Sequence, residues 1–79
     1  MTSSADRRHR LQRYPVHQLN AAIDDIIYKP QDRQIMRDMF AGELDMTYDA
    51  AAEKYHYSRN GMIKHVGRLT DKVEQYLQQ

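Results

Sequence analysis

The sequence predicts a small all-α domain of four helices, and three observations lead to this prediction. Apolar residues recur three and four positions apart along most of the chain, as they do on one face of a helix. Pro, Thr and Ser stand where these apolar stripes begin. No segment has the strict alternation of apolar and polar residues that is typical of a half-buried strand. The 79 residues make one small domain, which buries only about 60% of its unfolded surface.

Residues 1–13 are expected to form a flexible basic arm that precedes a single helical domain over residues 14–79. The arm contains four arginines and only one large apolar residue, Leu11. The first helix is predicted over residues 15–28, because Pro15 suits a first helical turn and the residue before Pro30 avoids helical backbone. Its apolar stripe consists of Val16, Leu19, Ile23, Ile26 and Ile27.

The second helix is predicted over residues 30–41, and it again begins with a proline, Pro30. Gly42 is expected to end this helix as a left-handed cap. Residues 43–46 are then a short loop, with Leu44 and Met46 turned inward. The inner face of the second helix is formed by Ile35, Met36, Met39 and Phe40.

The pattern of residues 47–77 predicts a short helix, a tight turn and a longer helix. The short helix spans residues 47–55 and is capped by Thr47, and the turn falls at His56 and Tyr57. The longer helix spans residues 58–77 and is capped by Ser58. Its inner stripe steps through Met62, Val66, Leu69, Val73 and Leu77. This is the layout of a helix-turn-helix, here at residues 47–69, in which the second helix lies in the DNA major groove.

The formal net charge of +1 conceals an uneven distribution of charge. Residues 1–17 hold four arginines against one aspartate, and residues 56–70 contain no acid at all. Residues 41–55 hold four acids against one lysine. Positive charge therefore collects on the arm and on the longer helix, where a DNA-binding protein uses it. The arm is either a solvated tail or a segment that reaches phosphates or the minor groove.

The polar residues that open the longer helix are the candidates for reading bases. Arg59 can pair with guanine and Asn60 with adenine through two hydrogen bonds each. Lys64 lies one turn further on the same side, and Arg68 is expected to position the DNA backbone. Helix N-termini attract phosphates, and the Tyr57 hydroxyl is either a phosphate contact or the edge of the core. The predicted DNA-binding set is Thr47, Tyr57, Ser58, Arg59, Asn60, Lys64 and Arg68.

Residues 33–77 resemble the promoter-reading C-terminal module of bacterial sigma factors, and especially its small stand-alone versions in phages and prophages, such as the ArpU-type late-gene regulators. The last helix is also similar to the reading helix of LuxR-type regulators. The matching segments are DRQIMRDMF, AGELDM, TYDAAAEKY, H and YSRNGMIKHVGRL. The resemblance implies a transcriptional regulator of phage, prophage or bacterial type.

The chain departs from this family pattern at three positions. Ala51 replaces an isoleucine of the first helix of the motif, and Met62 or Tyr55 is expected to fill the volume. His56 replaces the turn glycine and is strained if the position requires a positive φ. Gly61 lies inside the longer helix, where it costs about 1 kcal/mol relative to alanine. It reflects either close approach of the backbone to DNA or simple sequence drift.

Several classes of function are not expected. The chain has no cysteine, so it has neither a thiolate metal site nor a thiol nucleophile. His56 and His65 have no second ligand at a suitable spacing, and no nucleophile is paired with a base. We therefore expect no enzyme activity, no metal and no cofactor. The sequence has no long apolar run, so no membrane partner is expected and the predicted location is the cytoplasm.

Two functions remain open from the sequence. The first is sequence-specific binding of double-stranded DNA by a transcriptional regulator, as a homodimer formed through the end of the last helix and the first helix. The second is a protein-binding helical module that engages RNA polymerase or a component of phage–host defence, which the acidic residues 43–53 favour. The feature that discriminates between them is whether the acid-free residues 56–70 present one exposed face.

Overall fold

The computed structural model describes residues 11–41 and 46–78, and within them it contains four helices and no strand. We number these α1 (Val16–Ile26), α2 (Pro30–Met36), α3 (Tyr48–Tyr55) and α4 (Arg59–Leu77). A π-helical turn, Arg37–Ala41, continues α2. The predicted all-α class is therefore confirmed. The predicted cap at Gly42 and the inward position of Leu44 lie outside the described residues, as does the arm up to residue 10.

The helix α1 is shorter than predicted at both of its ends. Pro15 precedes the helix as its N-cap residue instead of forming its first turn. At the other end, α1 ends at Ile26 instead of Tyr28, and Ile27 and Lys29 have extended backbone. Pro30 accounts for the extended backbone of Lys29, the residue directly before it. The side chain of Arg33 donates from Nε to the Ile27 carbonyl (2.5 Å). A side chain from the next helix, six residues further along the chain, thus satisfies a carbonyl that the end of α1 leaves unpaired.

Local sequence signals correctly predicted the start of α3 and of α4. The Thr47 hydroxyl accepts a hydrogen bond from the Ala50 amide (3.1 Å), and the Ser58 hydroxyl accepts one from the Gly61 amide (3.0 Å). Between the helices, His56 adopts left-handed backbone with φ of 63° and ψ of 42°. The turn therefore requires the conformation for which glycine is preferred, and a histidine adopts it here at some cost in strain.

The core lies where α1, α2 with its π turn, and α3 meet the inner face of α4. The predicted inner faces of the second and fourth helices are buried, apart from Leu77, which is half-buried. Met62 is fully buried in the same core as Ala51, as expected for a side chain that fills the missing volume.

Two predictions about the core were wrong. Val16 is 52% exposed because it begins α1, whereas Leu11, assigned to the arm, is fully buried. The packed domain thus extends to Leu11.

A polar cluster attaches α3 to the π turn that follows α2. Lys54 Nζ donates to the Asp38 carboxylate (2.8 Å), and the Tyr55 hydroxyl donates to the same oxygen. Gln34 donates to the other carboxylate oxygen (2.9 Å), and the Met46 amide donates to the Asp38 carbonyl (3.2 Å). Burial by itself raises the pKa of Asp38, but these hydrogen bonds to the carboxylate outweigh it and hold the pKa below the ordinary 3.8.

Asp38→Asn should lower the free energy of unfolding at neutral pH by about 1–2 kcal/mol, because charge-assisted hydrogen bonds are lost. In the parent, the pKa of Asp38 is lower when folded than when unfolded. The stabilisation is therefore complete above pH 3.8 and is lost as the pH falls through the folded pKa. The measurement is urea unfolding between pH 3 and pH 7. The control is Glu53→Gln, an exposed acid on α3 beside Lys54, and equal pH profiles for the two variants would contradict the assignment.

Candidate nucleic-acid interface

Three of the predicted contact residues form one exposed row on α4. Asn60, Lys64 and Arg68 are spaced four residues apart, so their side chains follow one side of the helix, and all three are exposed. The opposite side carries the buried stripe that begins at Met62. We call Asn60, Lys64 and Arg68 the α4 row. The exposed α4 side chains of residues 56–70 are thus largely gathered on one face.

The described cations differ in whether another residue already binds them. Arg37 is paired with Asp24, Lys54 with Asp38, and Arg59 with Asp49. By contrast, the side chains of five cations form no ion pair or hydrogen bond with any other described residue: Arg13, whose guanidinium lies over the Tyr14 ring, Lys29, Lys64, Arg68 and Lys72. Three of these five lie on α4, so the positive charge that is available to an external partner is concentrated there.

Arg59 begins α4 beside the row, but its charge is already paired. Its Nε lies 2.9 Å from Asp49 Oδ1 in the first turn of α3. The side chains are 66% and 73% exposed, and an ion pair this exposed contributes only about 0–1 kcal/mol. The pair forms where the first turns of α3 and α4 lie next to each other. Arg59 can therefore leave Asp49 for a nucleic acid at little cost.

The remaining predicted residues have structural roles of their own. The hydroxyls of Thr47 and Ser58 cap their helices. Tyr57 is half-buried, and its ring stacks on His65 with centroids 5.3 Å apart and planes inclined by 20°. His65 Nε2 in turn donates to Asp32 Oδ1 (2.7 Å). The sequence left Tyr57 as either a phosphate contact or the edge of the core. Its half-buried, stacked ring lies at the edge of the core. Within the described residues, no three His, Cys, Asp or Glu side chains form a group that could hold a metal ion.

Gly61 has a local structural reason that the sequence did not reveal. A Cβ at this position would lie 2.9 Å from the Ser58 hydroxyl oxygen, which is too close for an ordinary contact. That oxygen accepts the hydrogen bond that caps α4. Glycine thus leaves room for the cap. This local explanation does not depend on the other one, close approach of the backbone to DNA.

A pair of stability measurements tests this explanation of Gly61. Gly61→Ala gains about 1 kcal/mol of helix propensity but displaces a cap worth about 1 kcal/mol, so its net effect should be close to zero. In a Ser58→Ala background the contact is absent, and the same change should stabilise the protein by about 1 kcal/mol. Thermal unfolding of the four proteins measures both effects. Equal effects in the two backgrounds would mean that Gly61 and Ser58 are not coupled.

Sequence reasoning did not single out Lys29 and Lys72. Lys72 follows Arg68 by four residues, so continuing the α4 row by one more helical turn would have identified it from the sequence. Lys29 belongs to the turn between α1 and α2, and no local pattern relates it to α4. The two lysines nevertheless line the same groove as Arg68.

Comparison with known proteins does not assign the chain to a group. No protein family, no curated protein and no solved structure matches it. No helix in the described residues combines the length and the apolar character that are needed to cross a membrane.

Proposed function

We propose that the protein binds double-stranded DNA in a sequence-specific manner and regulates transcription, with α3, the turn at His56 and α4 acting as a helix-turn-helix. The observation that carries the proposal is the α4 row, whose three polar side chains are exposed and have no partner among the described residues. An amide followed by two cations at helical spacing suits a helix whose first turn reaches bases and whose later turns meet phosphates.

The distribution of charge supports an electrostatic contribution from α4. Lys64, Arg68 and Lys72 are available to neutralise phosphates, and each phosphate contact releases bound counterions from DNA. The formal net charge of the whole chain is only +1, which favours weak non-specific binding by a single copy. Specificity then depends on the short base-reading segment at the start of α4.

Selection of randomised duplex DNA by mobility shift tests the proposal directly. We expect the full chain to enrich a short duplex sequence, and the enriched duplex to bind at least about a thousandfold more tightly than unrelated DNA at physiological salt. Recovery of no preferred sequence, together with equal affinity for all duplexes, would contradict sequence-specific binding.

Arg68→Ala should weaken binding equally for the selected and for unrelated duplexes. Because the residue is proposed to contact a phosphate, the slope of log affinity against log salt concentration should become shallower by about 0.9. The control is Arg37→Ala, which removes the same charge from an arginine that Asp24 already pairs. If the two variants have the same salt slope, Arg68 does not neutralise a phosphate.

The same proposal includes a homodimer formed by α1 and the end of α4. Val73 is fully buried, so the fold of one copy already covers the α4 stripe as far as this residue. What remains is a shallow groove between the two helices lined by Gln18, Ala21, Ala22, Tyr76 and Leu77, and the Tyr76 side chain is 38% exposed. A two-fold dimer through this groove would present two α4 helices to successive major grooves about 34 Å apart.

Sedimentation at micromolar concentration measures the proposed dimer, and the symmetry of the selected duplex provides an independent readout. We expect a dimer and a palindromic site. A monomer that binds a non-palindromic site would contradict the dimer but would leave DNA binding by one module intact.

A further inference from the structure

A second surface lies on the flank of α4, on the other side of Arg68 from Lys64. It is a groove between the end of α1, the turn that leads to α2, and α4, with a volume of 320 Å³. Its apolar lining is formed by Ile26, Ile27 and Leu69. We call it the cationic groove because of the side chains at its edge.

Three cations line this groove from two different parts of the fold. Arg68 and Lys72 are one turn apart on α4, and Lys29 comes from the turn between α1 and α2. None of the three has an ion pair within residues 11–41 and 46–78. Their charges are therefore available to a partner that lies along or across the groove.

The acid in this lining, Asp32, forms no ion pair with any of the three cations. Asp32 is almost fully buried, and its Oδ1 accepts a hydrogen bond from His65 Nε2 at 2.7 Å. The histidine is itself held by stacking on Tyr57. This carboxylate is thus bonded to a partner inside the protein, and the three cations of the lining outnumber it.

Tyr28 adds an exposed aromatic ring to the same surface. Its side chain lines the groove and is 80% exposed, the largest exposed fraction among the bulky apolar side chains of the described residues. Tyrosine and arginine are two of the residue types that contribute most to binding energy at protein interfaces. Apolar lining, an exposed ring and unpaired cations together suit a ligand that is both apolar and acidic.

We propose that the cationic groove binds an acidic segment of a partner protein, which inserts one large apolar side chain between its own carboxylates. The volume is at the lower end of ligand pockets and so accommodates a side chain better than an extended molecule. Cations on separate elements match several carboxylates spread along a peptide better than one charged group. A DNA backbone would satisfy the cations but would offer no apolar group to cover the half-buried Ile26 and the exposed Tyr28 ring.

The full chain, labelled with ¹⁵N, tests this proposal by titration with short peptides. The probe has a central phenylalanine with two acidic residues on each side and blocked ends. A matched peptide has alanine in the centre, and inorganic phosphate serves as a probe of charge alone. We expect shifts at the amides of residues 26–29 and 65–72, and binding of the alanine peptide weaker by about 10- to 100-fold.

Exposed substitutions test the groove without endangering the fold, and two of them, at Tyr28 and Lys29, lie outside the proposed DNA contacts. Lys29→Ala and Lys72→Ala should each weaken phenylalanine-peptide binding by about two- to fivefold, and Tyr28→Ala should weaken it by at least about fivefold. Lys64→Ala is the matched control, because it removes a cation of α4 that does not line the groove, and it should leave peptide binding unchanged.

Three results would overturn the proposal. They are absence of binding at millimolar peptide, equal binding of the phenylalanine and alanine peptides, and equal losses from Lys64→Ala and Lys72→Ala. The last two would assign the surface to general attraction of anions, including phosphates. Since peptide binding and selection of duplex DNA are measured separately, failure of one does not imply failure of the other.

Discussion

Leu11→Ala should lower the free energy of unfolding by about 2–5 kcal/mol, which is a large part of the stability expected for a domain of this size. Leu11 is fully buried in the same core as Leu19 and Ile23, so truncation leaves a cavity and removes apolar contacts. Urea unfolding followed by circular dichroism measures the change, with the midpoint falling at nearly constant slope.

Val16→Ala is the matched control for this prediction. Val16 was predicted to belong to the apolar stripe of α1, but it is 52% exposed. Its truncation should therefore change the free energy of unfolding by less than about 0.5 kcal/mol. Equal effects of the two substitutions would mean that Leu11 does not belong to the core.

Arg59→Ala should reduce affinity for the selected duplex by about 5- to 150-fold and relax the preference at one base pair, if Arg59 reads a base through two hydrogen bonds. The thermal midpoint should remain nearly unchanged, because the ion pair with Asp49 is highly exposed. Mobility shift with the selected duplex and with single-base variants of it measures both affinity and preference.

Asp49→Asn provides the opposite test on the same ion pair. It releases Arg59 and removes a negative charge from the proposed interface, so DNA binding should tighten by about two- to fivefold. If Arg59 serves only to pair with Asp49, both substitutions should leave DNA binding unchanged. The two substitutions thus separate a reading role from a structural one.

The start of each C-terminal helix could be predicted from the sequence because the interaction that determines it is local. Thr47 and Ser58 each bind an amide three residues ahead, so both partners lie within one turn of sequence. The buried stripe of α4 was predictable for a similar reason, since helical periodicity alone places its members on one face. The α4 row is the complement of that stripe, and it followed from the same periodicity.

Other features depend on residues that are distant in sequence, and no local pattern encodes them. Arg33 reaches back to the Ile27 carbonyl, and Asp38 binds Lys54 and Tyr55, 16 and 17 positions ahead. The pairing of Arg59 with Asp49 appears only when the first turns of α3 and α4 meet. Each of these interactions requires the relative placement of two helices, which long-range packing decides.

The sequence by itself determined the all-α class, the two capped C-terminal helices and the face of α4 that carries Asn60, Lys64 and Arg68. Tertiary structure alone decided that Leu11 is buried while Val16 is exposed, and that Lys29 joins Arg68 and Lys72 around one groove. The physical reason is that helical periodicity and capping are interactions within a turn or two. Burial at a helix end, and the grouping of charges from separate elements, depend on which surfaces the folded chain brings into contact.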